Sequence, residues 1–207
     1  MTFFQYYFSA FINPSKTFVT LRDDPGRVRL GFLAVLIMAV LYTFVYLFLI
    51  FGGGQPFKPW LDIPLETYYR YNVLFCAPSM FLGWILAAGV AHLISQLFNG
   101  SGTFEQTLCV FGFGIGVASW ATGLHDLLTS FLGAKHVISQ RDYEIALNSP
   151  TIWRTLLWIQ MLIYLLWFLF LFTKGIQKVQ GLTGWKASLA GTVGFIMYQA
   201  FFLIFNL

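Results

Sequence analysis

The run from Leu30 to Phe51 contains no charged residue. A helix needs about 20 residues to cross the roughly 30 Å hydrocarbon layer of a bilayer, and this run is long enough. Four further apolar stretches approach or exceed the same length: Tyr71–Phe98, interrupted by Pro78 and containing His92; Gln106–Leu124, extending toward Phe131; Thr155–Phe172; and Ala187–Leu207. Composition agrees, with 58% hydrophobic and 10% charged residues. Soluble domains carry about 25% charged residues, so this chain cannot cover a water-facing surface. The expected fold is an all-α integral membrane bundle of five transmembrane helices. The spans are expected at about 28–51, 71–98, 105–131, 151–173 and 184–207, in a single domain from residue 25 onward.

Residues 1–24 are expected to form an interfacial segment. Met1–Ile12 is too short to span, but Phe3, Phe4, Tyr6, Tyr7, Phe8 and Phe11 suit the headgroup level. Asn13-Pro14 then opens a second short helix to about Arg22. The start has neither a basic region nor a small-residue cleavage site, so no cleaved signal peptide is expected.

Helix ends carry recognisable chemistry. Asp24-Pro25 and Ser149-Pro150 each pair an N-capping residue with a proline at the first helical position, ahead of spans one and four. Thr103 to Gln106 has capping-box spacing before span three. Thr183 precedes span five, and Gly52-Gly53-Gly54 ends span one.

Lysine and arginine set the expected orientation. With the N-terminus in the cytoplasm, seven basic residues face inward: Lys16, Arg22, Arg27, Arg29, Lys174, Lys178 and Lys186. Five face outward: Lys58, Arg70, Lys135, Arg141 and Arg154. The excess favours N-in, with Leu207 outside, in a prokaryotic inner membrane. Arg27, Arg29, Lys174, Lys178 and Lys186 would meet lipid headgroups, each contributing about 1 kcal/mol toward anionic lipid. The basic residues form no nucleic-acid footprint, so the expected partners are the bilayer and another membrane protein or a second copy.

Gly112-Phe113-Gly114-Ile115-Gly116 looks at first like a phosphate-binding turn. It lacks the G-x-G-x-x-G spacing, no Lys-Ser/Thr follows, and both flanks read as membrane helix. Gly112 and Gly116 instead share one helix face, which lets two backbones approach closely. Ala87 and Ala91 in span two offer a similar face, as do Ala187, Gly191 and Gly194 in span five. Spans two, three and five are therefore expected to form a tight inner cluster, with the bulkier spans one and four facing lipid.

Ionisable residues inside a membrane are costly and point to function. His92 and Gln96 lie one turn apart in span two. His125 and Asp126 lie toward the far end of span three. As neighbours in sequence, His125 and Asp126 are expected on different helix faces rather than as a pair. Gln160 and Gln199 are expected to bond between helices. No catalytic triad, H-E-x-x-H or Cys-x-x-Cys motif occurs, and His92, His125 and His136 are too scattered for a metal site. Cys76 and Cys109 lie within apolar segments and imply no disulfide framework. No cofactor is expected.

Three blocks carry a resemblance: "FINPSKTFVTLRDDPGRVRLGFLAVLI", "FNGSGTFEQTLCVFGFG" and "TKGIQKVQGLTGWKASLAG". In order and spacing they resemble the Yip domain family, small polytopic membrane proteins that interact with Ypt/Rab GTPases in eukaryotes and have many bacterial relatives. The resemblance implies a non-catalytic, membrane-organising or trafficking-type adaptor. The long cytoplasmic N-terminal region of eukaryotic members has no counterpart here, which implies a prokaryotic member. The alternative expectation is a small transporter, channel or lipid-translocating protein using His92, Gln96, His125 and Asp126 around a polar cavity.

Overall fold

A computed structural model describes residues 1–56 and 59–206; Lys58 and Leu207 lie outside them. The described residues form nine helices and no strand: α1 (Phe3–Ile12), α2 (Pro14–Arg22), α3 (Arg27–Phe51), α4 (Tyr68–Leu97), α5 (Phe104–Ala118), α6 (Trp120–Ala134), α7 (Gln140–Asn148), α8 (Ile152–Gln180) and α9 (Gly184–Asn206). Four of them, α3, α4, α8 and α9, are each long and apolar enough to cross a membrane. α5 and α6 together make a fifth candidate, bent by 45° at Ser119.

Span three is thus two helices rather than one. The Ser119 carbonyl receives the Gly123 N–H at 2.8 Å and the Thr122 hydroxyl at 3.4 Å. A side-chain hydroxyl competing for a helix carbonyl is a usual cause of such a kink. Pro78 does not end α4, which runs through it for 30 residues. Helix α7, in the loop before span four, was not expected at all; Ser139 caps it by accepting the Asp142 N–H at 3.3 Å.

The caps divide. Thr103–Gln106 forms the expected capping box, Asn13 caps α2 from Lys16 N–H, and Gly53 turns with φ +68°. Asp24-Pro25 does not cap α3, which starts two residues later after Gly26; Asp24 instead receives the Gly26 N–H at 2.8 Å within the turn. Ser149-Pro150 likewise gives way to Thr151, which accepts the Arg154 N–H.

α5 is the centre of the bundle. Every residue from Thr107 to Ala118 is buried. On one side it meets α3: a Cβ placed on Gly112 would lie 2.5 Å from the Gly31 carbonyl oxygen, and one on Gly116 would lie 2.8 Å from that of Ala34. On the other side a Cβ at Gly114 would strike the Phe172 ring of α8 at 2.6 Å. Span one is therefore not peripheral. Its small residues Gly31 and Ala34, one turn apart, form the partner face of Gly112 and Gly116, and bulk elsewhere in the span hid them. α8 does face outward, with only 22% of its most apolar window buried against 44% for α3. Ala87 and Ala91 are fully buried; Gly194 lies against the Ala87 carbonyl and the Phe111 ring, and Gly191 against the backbone of Phe172 and Thr173. Since lipid tails are as apolar as leucine, such close packing rather than the hydrophobic effect holds the spans together.

The N-terminal helices fold back as a hairpin docked on this core. Ser9 and Thr17 hydroxyls meet at 2.7 Å, and Tyr6 donates to Asp24 at 2.9 Å. The Tyr7 hydroxyl donates to the Gly116 carbonyl and accepts from the Trp120 indole N–H at 2.8 Å. Phe4, Phe8 and Ile12 form the outer stripe and stay exposed.

Candidate functional site

The two ends of the bundle hold the polar candidates in different settings. At one end α8 terminates at Gly181, whose φ of +70° gives a left-handed cap. Just before it, Gln180 turns under α4 and α5 with 1% exposure. Its amide nitrogen donates to Thr107 Oγ1 at 2.7 Å and to His92 Nδ1 at 2.9 Å. Its amide oxygen accepts from Gly102 N–H at 3.1 Å and from Gln96 Nε2 at 3.4 Å. Its own carbonyl accepts the Ser101 N–H at 3.0 Å. Both side-chain amide donors and two acceptor positions are filled. With the amide in this orientation, His92 Nδ1 accepts, so a neutral ring carries its proton on Nε2. His92 and Gln96 are thus gathered into one knot by a residue that sequence reasoning did not single out. Its only signal was a glutamine placed immediately before a helix-ending glycine.

Cations surround this end. Arg29 is exposed, Arg27 donates to the Arg22 carbonyl, and Lys178 is half-buried. Lys174 lies 5.9 Å from the Phe170 ring centre and Lys186 5.7 Å from that of Phe98. Among the described residues, Arg22–Asp23 at 2.9 Å is the one ion pair between a Lys or Arg and a carboxylate.

At the opposite end, near α7, the helices part around a cavity of about 530 Å³. α6 lines it with Thr122, His125, Asp126, Thr129 and Ser130. His125 and Asp126 do form a pair, Nδ1 to Oδ1 at 3.2 Å, against the expectation from their adjacency. Neighbouring residues project about 100° apart on a helix, yet a ring and a short carboxylate that lean toward each other still meet. The Tyr143 hydroxyl completes the chain at 2.7 Å from His125 Nε2. Burial pushes the Tyr143 phenol up to about 12, so it stays neutral. Glu144, also on α7, has its carboxyl pushed up by burial while Gln140 Nε2 donates to it at 3.3 Å.

Tyrosines hold the remaining walls. Tyr42 meets Thr122 at 2.8 Å, Tyr46 donates to the Asn206 carbonyl at 2.9 Å, and Tyr164 donates to Gln199 Oε1 at 3.2 Å. Gln199 therefore bonds between helices as expected, whereas Gln160 Nε2 is buried with no partner among the described residues. Gln140 Oε1 and Asn206 Oδ1 are left in the same condition. Among the described residues no group of three His, Cys, Asp or Glu side chains is placed to hold a metal ion. This arrangement offers hydrogen-bond acceptors and aromatic faces rather than an activated nucleophile.

The comparisons decide the family. The Yip1 domain model matches residues 8–205, nearly the whole chain. The chain belongs to the Yip1 domain family. An uncharacterized protein of Methanocaldococcus jannaschii is 29% identical over 112 residues, covering 51% of this chain and 74% of its own length. That relative is archaeal, in keeping with a prokaryotic Yip-type member. No solved structure matches the chain. The Yip1 match runs through both ends, from the N-terminal hairpin past Gln180 to the last turns of α9, so the knot and all of the cavity lining but Asn206 lie within the matched residues.

Proposed function

We propose that this Yip-type protein is a non-catalytic membrane-organising or adaptor component that works through its Gln180 end. The carrying observation is the contrast there between a locked interior and a charged rim. Gln180 saturates the buried polar groups, while Arg29 is exposed and Lys174, Lys178 and Lys186 have no carboxylate partner among the described residues. The docked α1–α2 hairpin adds the exposed apolar stripe Phe4, Phe8 and Ile12, carried on a helix that packs beside Gly116, Trp120 and Trp167. In the N-in orientation of a prokaryotic plasma membrane, this surface meets the cytoplasmic leaflet and a membrane partner or second copy. The lysines draw it to anionic lipid, and the rigid interior presents it in one geometry.

The test is purification from native membranes in mild detergent. A stoichiometric partner or a defined oligomer, lost when Lys174 and Lys178 are changed to Glu, is expected. Turnover of a substrate by the purified chain alone would contradict the reading.

A second reading, a small transporter or lipid-translocating protein, is favoured by the α7-end cavity, which takes in His125 and Asp126. The knotted His92 and Gln96 lie beyond the fully buried α5 segment and the stacked Phe111–Phe172 rings, 3.9 Å apart. A path through the bundle would require that layer to open.

A further inference from the structure

We propose that the α7-end cavity is a binding site for one amphipathic molecule whose head is a protonated amine and whose body is apolar. The volume of about 530 Å³ lies within the range of about 300–1,000 Å³ usual for small-molecule sites. Its polar lining is rich in acceptors. Asp126 and Glu144 supply two carboxyls, and no Lys or Arg lines the cavity among the described residues. Gln140, 7% exposed, and Asn206, 3% exposed, also line it, and each keeps a buried amide oxygen without a partner. Such orphaned acceptors are costly, and a ligand N–H relieves them once these amides turn toward the space.

The walls select charge as well as donors. Tyr42, Tyr46, Tyr69, Tyr143 and Tyr164 all line the space, and aromatic faces attract an ammonium. An anionic head would meet Asp126 and Glu144, with His125, already held by Asp126 and Tyr143, the one basic side chain lining the space among the described residues. A neutral alcohol would gain neither the carboxylate nor the ring attraction. Leu157, Met161 and Leu165 of α8, with Phe195 and Phe202 of α9, provide the apolar surface for the body. The site does not depend on the adaptor reading, which concerns the other end of the bundle, and it requires no transport.

The experiment uses the full chain in nanodiscs of phosphatidylcholine, which has no N–H donor on its head. Decylamine, decanol and decanoate are compared by thermal unfolding, since a ligand that binds only the folded state raises Tm saturably. Decylamine is expected to raise Tm, with decanol and decanoate giving little shift. The double change Asp126→Asn and Glu144→Gln is expected to abolish the amine shift, with Lys16→Ala, on the exposed face of α2, leaving it intact. If the double variant does not fold, Leu157→Trp fills the cavity from its apolar wall and is expected to remove the shift in the same way. Equal shifts from decanol and decylamine would overturn the proposal, as would an amine shift that survives either cavity variant. A further arm replaces part of the phosphatidylcholine with phosphatidylethanolamine. If that lipid raises Tm in an Asp126-dependent way and displaces decylamine, the amine is a lipid headgroup. If only decylamine binds, the site takes a free amphiphilic amine.

Discussion

Along α5, helices meet through glycine: Gly112 and Gly116 bring the backbone of α5 onto that of α3, and Gly114 admits the Phe172 ring of α8. Past the bend at Ser119 the same span, now α6, still packs its Gly133 backbone against Gly52 at the end of α3, but toward the cavity it meets its neighbours through tyrosine hydroxyls and a histidine, and a space of about 530 Å³ opens there. Small residues remove the volume between helices, so the α5 half is closed. Long phenols that reach across to a partner keep helices apart while still linking them, so the α6 half is open. One span therefore carries both the most tightly packed part of the bundle and the wall of its cavity. Polar residues follow the same division: Gln180 uses both of its amide donors and its amide oxygen, whereas Gln140 and Asn206 keep unpaired oxygens in the cavity's lining residues.

The largest effect expected from breaking this contrast is at Gly112. Gly112→Val forces side-chain atoms against the Gly31 backbone, which cannot swing aside as a side chain would. The expected loss is about 3 kcal/mol or more, seen as a collapse of monodisperse protein in detergent. Thr129→Val, on the cavity wall, is expected to unfold within about 1 kcal/mol of the parent. Equal damage at both positions would remove the distinction between the two halves.

Next comes Gln180→Leu. It strands the Gly102 N–H and leaves Thr107 and His92 without their shared donor. The expected cost is about 2–3 kcal/mol, read by thermal unfolding in detergent. A smaller loss, about 1–2 kcal/mol, is expected for Tyr7→Phe, which removes the link from α1 to Gly116 and Trp120. Limited proteolysis of residues 1–22 should quicken in that variant. The smallest effect, below about 1 kcal/mol, is expected for Tyr164→Phe, since its bond to Gln199 is single and lies beside open space.

The spans were legible because length and apolarity are set by the bilayer itself, and Leu30–Phe51 needs no tertiary information to be read. The glycine face was legible as a close-packing surface, but its partner was not. Small residues mark a face without saying which helix covers it, and Gly31 with Ala34 was obscured by the phenylalanines and leucines around it. The bend at Ser119 escaped because serine and threonine are tolerated in straight membrane helices too. His92 and Gln96 were visible as polar residues one turn apart. Gln180, which joins them across 84 and 88 residues of sequence, was not, because that contact exists only after α8 folds back under α4. His125 and Asp126 were found as a pair of residue types, but Tyr143, which completes their chain, lies on α7, a nine-residue helix whose polar composition reads as loop between two apolar spans.

The most direct test of a closed half joined to an open half is chemical accessibility. In the full chain the native Cys76 and Cys109 are both buried. Single cysteines are introduced by Thr129→Cys on the cavity wall and by Ser95→Cys near the Gln180 knot, where the native serine is fully buried. A small water-soluble maleimide is then applied to the folded protein in nanodiscs. Rapid modification at position 129, with position 95 and the native thiols protected until unfolding, is the predicted result. Equal labelling at positions 95 and 129, or protection of both, would contradict the account.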